Sequence, residues 1–208
     1  MLEIKKIIGL YLIILAVQPV QAMSAGEEDH DNLPDQYNYS IELFTAHSPF
    51  SSSLFAKMKN TQLSLIGFNF GHSYLQFSNL NIFLSSEVVL FGRMNYPING
   101  HSGPKTQRSG LGIVPLRFTV PITRSGSRNH FYADTGLGFI LFEKKFPNPD
   151  GTNLNVTIDL GIGYQFRISQ NNSLSIGYRF HHLSNAGVGN INPGLDSNMI
   201  FISFKTFR

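Results

Sequence analysis

The sequence predicts an all-β fold, an eight-stranded antiparallel transmembrane β-barrel, and its composition is the first observation behind that prediction. Charged residues make up only 14% of the 208 residues, well below the roughly 25% of an ordinary soluble domain. The chain has 19 Gly, 18 Phe and 8 Tyr, yet its mean hydropathy is near zero. This combination is typical of barrel strands, because the hydropathies of their apolar and polar faces average to a value near zero. A soluble β-sandwich has a similar composition and is the alternative fold.

The strand pattern is the second observation. Eight segments are predicted as strands, and most are about ten residues or longer, the length a tilted strand needs to cross a bilayer. Apolar residues occupy every second position in the sixth and seventh segments, so one face would meet lipid and the other the lumen. The strand lengths and the even number favour the barrel over the sandwich. The predicted strands are 37–46, 61–71, 81–92, 109–120, 129–142, 152–168, 172–183 and 195–207.

The connections are the third observation. If the first strand rises from the periplasm, the links after the odd-numbered strands are extracellular, and these links are the longer ones on average. Long outer loops and short periplasmic turns are typical of outer-membrane barrels. The predicted outer loops are 47–60, 93–108, 143–151 and 184–194.

The amino-terminal residues predict a secretory signal. Two lysines precede an apolar run over 7–17, which has signal-peptide length and is too short to span a bilayer as a helix. Ala22 offers a small-residue cleavage site, and cleavage after Ala25 is the alternative. No later apolar run is long enough for a transmembrane helix. The expected organisation is a signal peptide over 1–22, a flexible leader over 23–36 and an outer-membrane barrel over 37–208.

Three polar residues near the carboxyl end form a candidate catalytic triad. His182 and Ser184 are two positions apart, so on a strand they share one face with Cα atoms about 6.5–7 Å apart. Asp196 begins the next strand and could approach His182 from the side. Serine hydrolysis needs such a hydroxyl, an imidazole to take its proton and a carboxylate to orient the imidazole. By register all three point outward toward lipid, whereas His181 has the opposite parity and is predicted to be structural and to face the lumen.

The run His182-Leu183-Ser184-Asn185-Ala186-Gly187, followed by Asn192-Pro193-Gly194 and an acid twelve positions after the serine, resembles the lipid A 3-O-deacylase (PagL) family. Weaker similarity extends over 112–118 and 132–138. The resemblance implies an eight-stranded barrel of the bacterial outer membrane that hydrolyses an ester-linked acyl chain of lipid A, the lipid part of lipopolysaccharide.

The resemblance also implies a role for each site residue. Ser184 would be the nucleophile, His182 the base and Asp196 the orienting acid, with Asn185 and the Gly187 N–H as the oxyanion hole. The family usually has Glu at the position of Asp196, and the shorter side chain requires the two backbones to stand closer. No metal or cofactor is required by this chemistry.

Other functions stay open or are disfavoured at this point. The net charge of +3 is small and spread out, which argues against a nucleic-acid partner. A barrel without enzymatic activity, with a structural or adhesive role, is the alternative function. A homodimer is left open.

Overall fold

A computed structural model describes residues 39–77, 80–122 and 129–208. Their strands form one antiparallel sheet that closes when β1 pairs with β9, which gives an eight-stranded barrel. The two-residue strand β2 pairs with the start of β9, beyond the end of the β1–β9 pairing. The strands are β1 Ser40–Ser48, β2 Ser51–Ser52, β3 Gln62–Phe77, β4 Leu80–Pro97, β5 Lys105–Pro121, β6 Asn129–Phe146, β7 Thr152–Arg167, β8 Asn172–Ser184 and β9 Leu195–Phe207.

The closed barrel confirms the predicted fold class, and the soluble sandwich is wrong because β1 bonds to β9 over eight residue pairs instead of leaving two sheet edges. Each of the eight predicted segments overlaps one long strand, and several of the strands run beyond the predicted ends. The predicted signal peptide over 1–22, the leader over 23–36 and the first two residues of the predicted barrel lie outside the described residues.

Three of the predicted outer loops differ from the structure, the third because β6 runs to Phe146 and leaves 147–151 in place of 143–151. The expected second outer loop, 93–108, shortens to residues 98–104 because β4 and β5 continue to pair as far as Pro97 and Lys105. The first outer loop contains the unpredicted strand β2, which pairs with Asp196 and Ser197. β2 consists of two serines, and most of the residues added to β4 and β5 are polar, so neither segment shows the long apolar alternation of the other strands.

The two faces of the wall follow the predicted alternation. On β8, Leu174, Ile176 and Tyr178 are exposed, whereas Ser173, Ser175 and Arg179, which have the opposite parity, are buried in the lumen. The same division holds along β7. Exposed aliphatic and aromatic side chains on an otherwise hydrogen-bonded sheet are the outer surface expected of a barrel in lipid. Within the described ranges, the structure contains no helix with the length and apolarity to cross a membrane.

Side chains fill the lumen in two zones. In the middle lies a buried ion cluster, in which the Arg117 guanidinium is 3.0 Å from Glu87 and 2.5 Å from Asp159 and also contacts Asp134. Pairing of this kind offsets the desolvation of a buried guanidinium. Apolar residues such as Leu183, Leu195 and Met199 occupy the lumen nearer one end. That end carries the connections 53–61, 98–104, 147–151 and 185–194, and is called the loop end below.

Residues 53–61, the first loop, fold back onto the loop end. Met58 and Ala56 are buried, and the Lys57 N–H donates to the Pro193 carbonyl over 2.6 Å. The Lys59 N–H donates to the Gly100 carbonyl over 2.9 Å. The first loop is therefore tied to two other connections, and it lies against the start of β9.

Candidate active site

His182 and Asp196 are direct partners across the β8–β9 pair, and this register forms the centre of the site. The His182 Nδ1 and the Asp196 Oδ1 are 2.6 Å apart. Directly opposed residues of an antiparallel pair have Cα atoms only about 4.5–5.5 Å apart. At that separation an aspartate is long enough to reach the imidazole. The two strands therefore stand as close as the shorter acid requires.

Asp196 is completely buried even though its register points outward. The first loop covers it: the N–H groups of Phe55 and Ala56 donate to the Asp196 Oδ2 over 2.6 and 2.9 Å. Both carboxylate oxygens are thus acceptors, one for the imidazole and one for the loop backbone. Charge-assisted bonds of this kind compensate for the loss of water around a buried carboxylate.

Aromatic contacts hold the imidazole of His182 from the other direction. The Phe55 ring meets the His182 ring edge to face, with centroids 6.1 Å apart, and meets the Phe180 ring at 6.0 Å. The His182 side chain remains 19% exposed. Because Nδ1 is bonded to the carboxylate, Nε2 is the ring nitrogen that can exchange a proton with a hydroxyl.

Ser184 lies two residues beyond His182 on the same outer face, at the last position of β8. It is half-buried, and its Oγ accepts the Ala186 N–H over 3.4 Å. The chain then turns through Ala186 and Gly187, with φ angles of +54° and +77°, and the Val188 N–H closes the turn on the Asn185 carbonyl. Positive φ at both central residues is the type I′ geometry that a sharp strand reversal favours.

The predicted oxyanion donors meet each other in this turn. The Gly187 N–H donates to the Asn185 Oδ1 over 3.0 Å, and the Asn185 Nδ2 donates to the Ile191 carbonyl over 2.8 Å. The Asn192 Oδ1 accepts the Asn185 N–H, so Asn192 braces the turn. One of the two amide hydrogens on Asn185 Nδ2 is used in these bonds. The assignment of Asn185 and Gly187 to an oxyanion hole stays a prediction.

His181 forms a second histidine–aspartate pair on the opposite side of the wall. Its Nδ1 lies 2.6 Å from the Asp159 Oδ1, inside the buried ion cluster, and the residue is only 4% exposed. The lumenal orientation expected from its parity is therefore confirmed. Consecutive residues of one strand thus make the same kind of pair on opposite faces, and the outer pair is the one that shares its face with Ser184.

The sequence interpretation missed the role of the first loop. Phe55 and Ala56 contribute backbone N–H groups, which nearly every residue has, so no residue type marks them as contacts of an acid 140 positions away. Gly194 is a second contributor: its φ is +62°, and a Cβ there would lie 3.2 Å from the Ala56 Cβ and 3.5 Å from the His182 Cε1. The Asn-Pro-Gly run was the available signal for it.

Fold and site together define a membrane β-barrel with a histidine–aspartate pair and a serine on the outer face of its wall. The family model of lipid A 3-O-deacylases (PagL) matches residues 60–205 of the chain. The chain belongs to this family, whose members are lipid A deacylases and hence hydrolases. No curated protein sequence matches the chain.

Solved structures agree with the architecture. A crystal structure of the outer membrane enzyme PagL superposes with a TM-score of 0.59 at 19% identity, covering 78% of this chain and 97% of that one. A crystal structure of Neisserial surface protein A superposes with a TM-score of 0.54 at 14% identity, covering 81% and 96% of the two chains. These similarities establish the barrel fold, and with the family they place the chain in the bacterial outer membrane.

Proposed function

We propose that this chain is a lipid A 3-O-deacylase that cleaves an ester-linked acyl chain with Ser184, His182 and Asp196 as its triad. The observation that carries the proposal is the bonded His182–Asp196 pair beside Ser184, on the face of the wall that meets lipid. A lipid substrate reaches that face by moving within its own leaflet. Polar groups on a lipid-exposed surface are expensive unless they pair, so a functional role accounts for their presence.

The geometry supports acyl transfer in two stages. Ser184 Oγ attacks the ester carbonyl carbon while His182 Nε2 takes the hydroxyl proton, and Asp196 stabilises the resulting imidazolium. The tetrahedral intermediate collapses, His182 returns the proton to the departing sugar oxygen, and the acyl chain stays on Ser184 as an ester. A water molecule, deprotonated by His182, then attacks this ester and releases the fatty acid.

The negative charge of the tetrahedral intermediate needs hydrogen-bond donors beside Ser184. Asn185 and Gly187 are the proposed donors because they follow the nucleophile directly in a tight turn. Asn185 brings its second amide hydrogen. The Gly187 N–H is held by the Asn185 Oδ1, and the substrate oxygen must share or replace that acceptor.

Replacement of the nucleophile tests the proposal. The wild type and Ser184→Ala are expressed in a bacterium whose lipid A retains its ester-linked chains, and the lipid is examined by mass spectrometry. Loss of one acyl chain is expected with the wild type and an unchanged lipid with Ser184→Ala. Ser197→Ala is the matched control, because Ser197 is buried on the lumenal side and its hydroxyl has no hydrogen-bond partner within the described part of the chain.

Two results would contradict the proposal. Equal trimming by Ser184→Ala and wild type would remove the nucleophile assignment. Unchanged lipid A with wild-type protein, in cells where heat-modifiable gel migration confirms an inserted barrel, would favour the non-enzymatic barrel with a structural or adhesive role.

A further inference from the structure

Three polar side chains form a row across strands β1, β3 and β4 on the outer wall, away from the candidate active site. His47 is the direct cross-strand partner of Ser64, and Ser64 is the direct partner of Arg93. His47 and Arg93 are exposed, and the His47 Nδ1 lies 2.9 Å from the Ser64 Oγ. These three residues are called the polar row below.

The polar row lies near the loop end, at the edge of the apolar surface. His47, Ser64 and Arg93 are one, two and four residues from the loop-end termini of their strands. Exposed apolar residues begin two positions farther along the wall, with Ile66 on β3 and Phe91 on β4. Because the apolar band of a barrel wall meets the hydrocarbon, the polar row faces the lipid headgroups next to that band.

The polar row is not part of a uniform belt around the barrel. At the same end, the outer faces of β6 and β7 carry the exposed residues Leu141 and Leu154, five and two residues from the strand ends. Polar side chains at the edge of the hydrocarbon are expensive unless they find partners. A polar cluster confined to one side of the wall therefore indicates a local partner of matching chemistry.

The charge of the polar row favours an anion as that partner. Strands β1, β3, β4 and β5 contain two carboxylates, Glu42 and Glu87, and both are buried in the lumen. The Arg93 guanidinium donates to a neutral group, the Gln107 Oε1, over 2.5 Å. A guanidinium has five N–H donors, so others remain for a ligand. The outer face of these four strands thus holds a positive charge and no carboxylate.

The His47–Ser64 pair adds a hydrogen-bond donor in either tautomer of the imidazole. If Nδ1 is the unprotonated nitrogen, it accepts the Ser64 hydroxyl, and the Nε2–H is left to donate. If Nδ1 carries the hydrogen, it donates to the Ser64 Oγ, and the hydroxyl hydrogen is left. Directly opposed residues have Cα atoms about 4.5–5.5 Å apart, so this donor and the guanidinium can serve one phosphate.

We propose that the polar row binds a phosphate group of a lipid A molecule that is not the substrate. Lipid A carries phosphates on its glucosamine disaccharide, and it is the lipid on which the family acts. Arg93 lies on β4, which is four strands from β8 in either direction around the closed barrel, so it is on the opposite wall from Ser184. A second lipid molecule is therefore the ligand. Its binding requires no cleavage and is independent of the proposed function.

Counting bound lipid molecules tests the inference. Purified barrels in detergent are titrated with bis-phosphorylated lipid A, and native mass spectrometry gives the number of lipids retained, with intact and trimmed lipid counted together. Arg93→Gln should weaken the binding of one lipid molecule by about tenfold or more, because charge-assisted bonds are lost. Arg93→Lys keeps the charge but not the planar fork, so an intermediate affinity is expected. Lys145→Gln is the matched control, because it removes an exposed positive charge at the loop end of β6.

Lipid A without phosphates should bind the wild type no more tightly than the phosphorylated lipid binds Arg93→Gln. Heat-modifiable gel migration reports that each variant is folded, and Ser64→Ala provides a second variant of the row with the same expected direction. Equal lipid retention by folded Arg93→Gln and Lys145→Gln, or equal binding of the lipid without phosphates, overturns the site. Displacement of the lipid by an equal concentration of inorganic phosphate would show that a free anion is the ligand and would overturn the assignment to a lipid. Trimming of the retained lipid by Ser184→Ala would overturn the proposed function alone.

Discussion

Replacing Asp196 by Asn tests the centre of the site, because the two oxygens of this carboxylate have different tasks. Oδ1 accepts a hydrogen bond from His182, and Oδ2 accepts the backbone N–H groups of Phe55 and Ala56. An asparagine of the same shape has one acceptor oxygen and one NH₂ group. It can satisfy only one of the two sides.

Either orientation of the amide impairs the enzyme. If its NH₂ faces His182, the imidazole must accept at Nδ1 and carry its proton on Nε2, where it cannot act as a base toward Ser184. If its NH₂ faces the first loop, two N–H groups lose their acceptor, which costs about 1–3 kcal/mol for each buried donor. In both cases the imidazolium loses its neighbouring charge. A fall in kcat of about 10³–10⁴-fold is therefore expected.

The assay is single-turnover release of fatty acid by purified barrels, accompanied by hydrogen exchange at the amides of Phe55 and Ala56. Faster exchange at these two backbone amides would show that the NH₂ group of the substituted side chain faces the first loop. Asp196→Glu keeps the negative charge but lengthens the side chain by one methylene. His182 lies directly opposite on β8, so little room is left for the longer side chain. We expect it to retain more activity than the Asn variant and less than the wild type. An inserted Asn variant with kcat within about threefold of the wild type would refute the assigned role of the acid.

The remaining predictions concern the neighbours of this pair. His182→Asn should lower kcat by about 10³-fold or more, whereas His181→Asn should stay within about threefold of the wild type while lowering the unfolding temperature, because Asp159 loses a buried partner. If the two variants lost deacylation equally, His182 could not be the only histidine that acts in the reaction. Gly194→Ala should destabilise the loop end by about 1–2 kcal/mol and reduce kcat, because an L-residue is strained at φ +62° and its methyl would crowd the Ala56 Cβ beside the His182 ring. Thermal unfolding and kcat measured on the same preparation check this. A variant with an unchanged unfolding temperature and kcat would show that the close approach of Gly194 to Ala56 is unimportant.

The sequence predicted the wall and both of its faces because period-two alternation is a local property. The outward orientation of His182 and Ser184 and the inward orientation of His181 followed from parity alone. The register that sets Asp196 opposite His182 did not follow, because it depends on the conformation of the ten residues 185–194 between β8 and β9. A shift of two positions would have kept the carboxylate on the outer face but moved it away from His182.

Other features of the site are invisible in any one segment. The contact of Phe55 and Ala56 with the acid uses backbone atoms, and the close approach of Gly194 to Ala56 and His182 joins three separate segments. Such features combine segments far apart in the chain, and the sequence pattern of each segment is compatible with many neighbours.

The first loop explains how a carboxylate can stay ionised on the outer face of a barrel. On the bare wall, Asp196 would face hydrocarbon with one oxygen unpaired, and the neutral acid would be favoured over the ion. The loop supplies two N–H donors to that oxygen and is itself held by the Pro193 and Gly100 carbonyls. The strands thus position the imidazole and the hydroxyl, whereas the ionised state of the acid depends on a loop that packs over it. It follows that the site is built from the wall and the first loop together, and that loosening the loop should weaken catalysis even when the strands are intact.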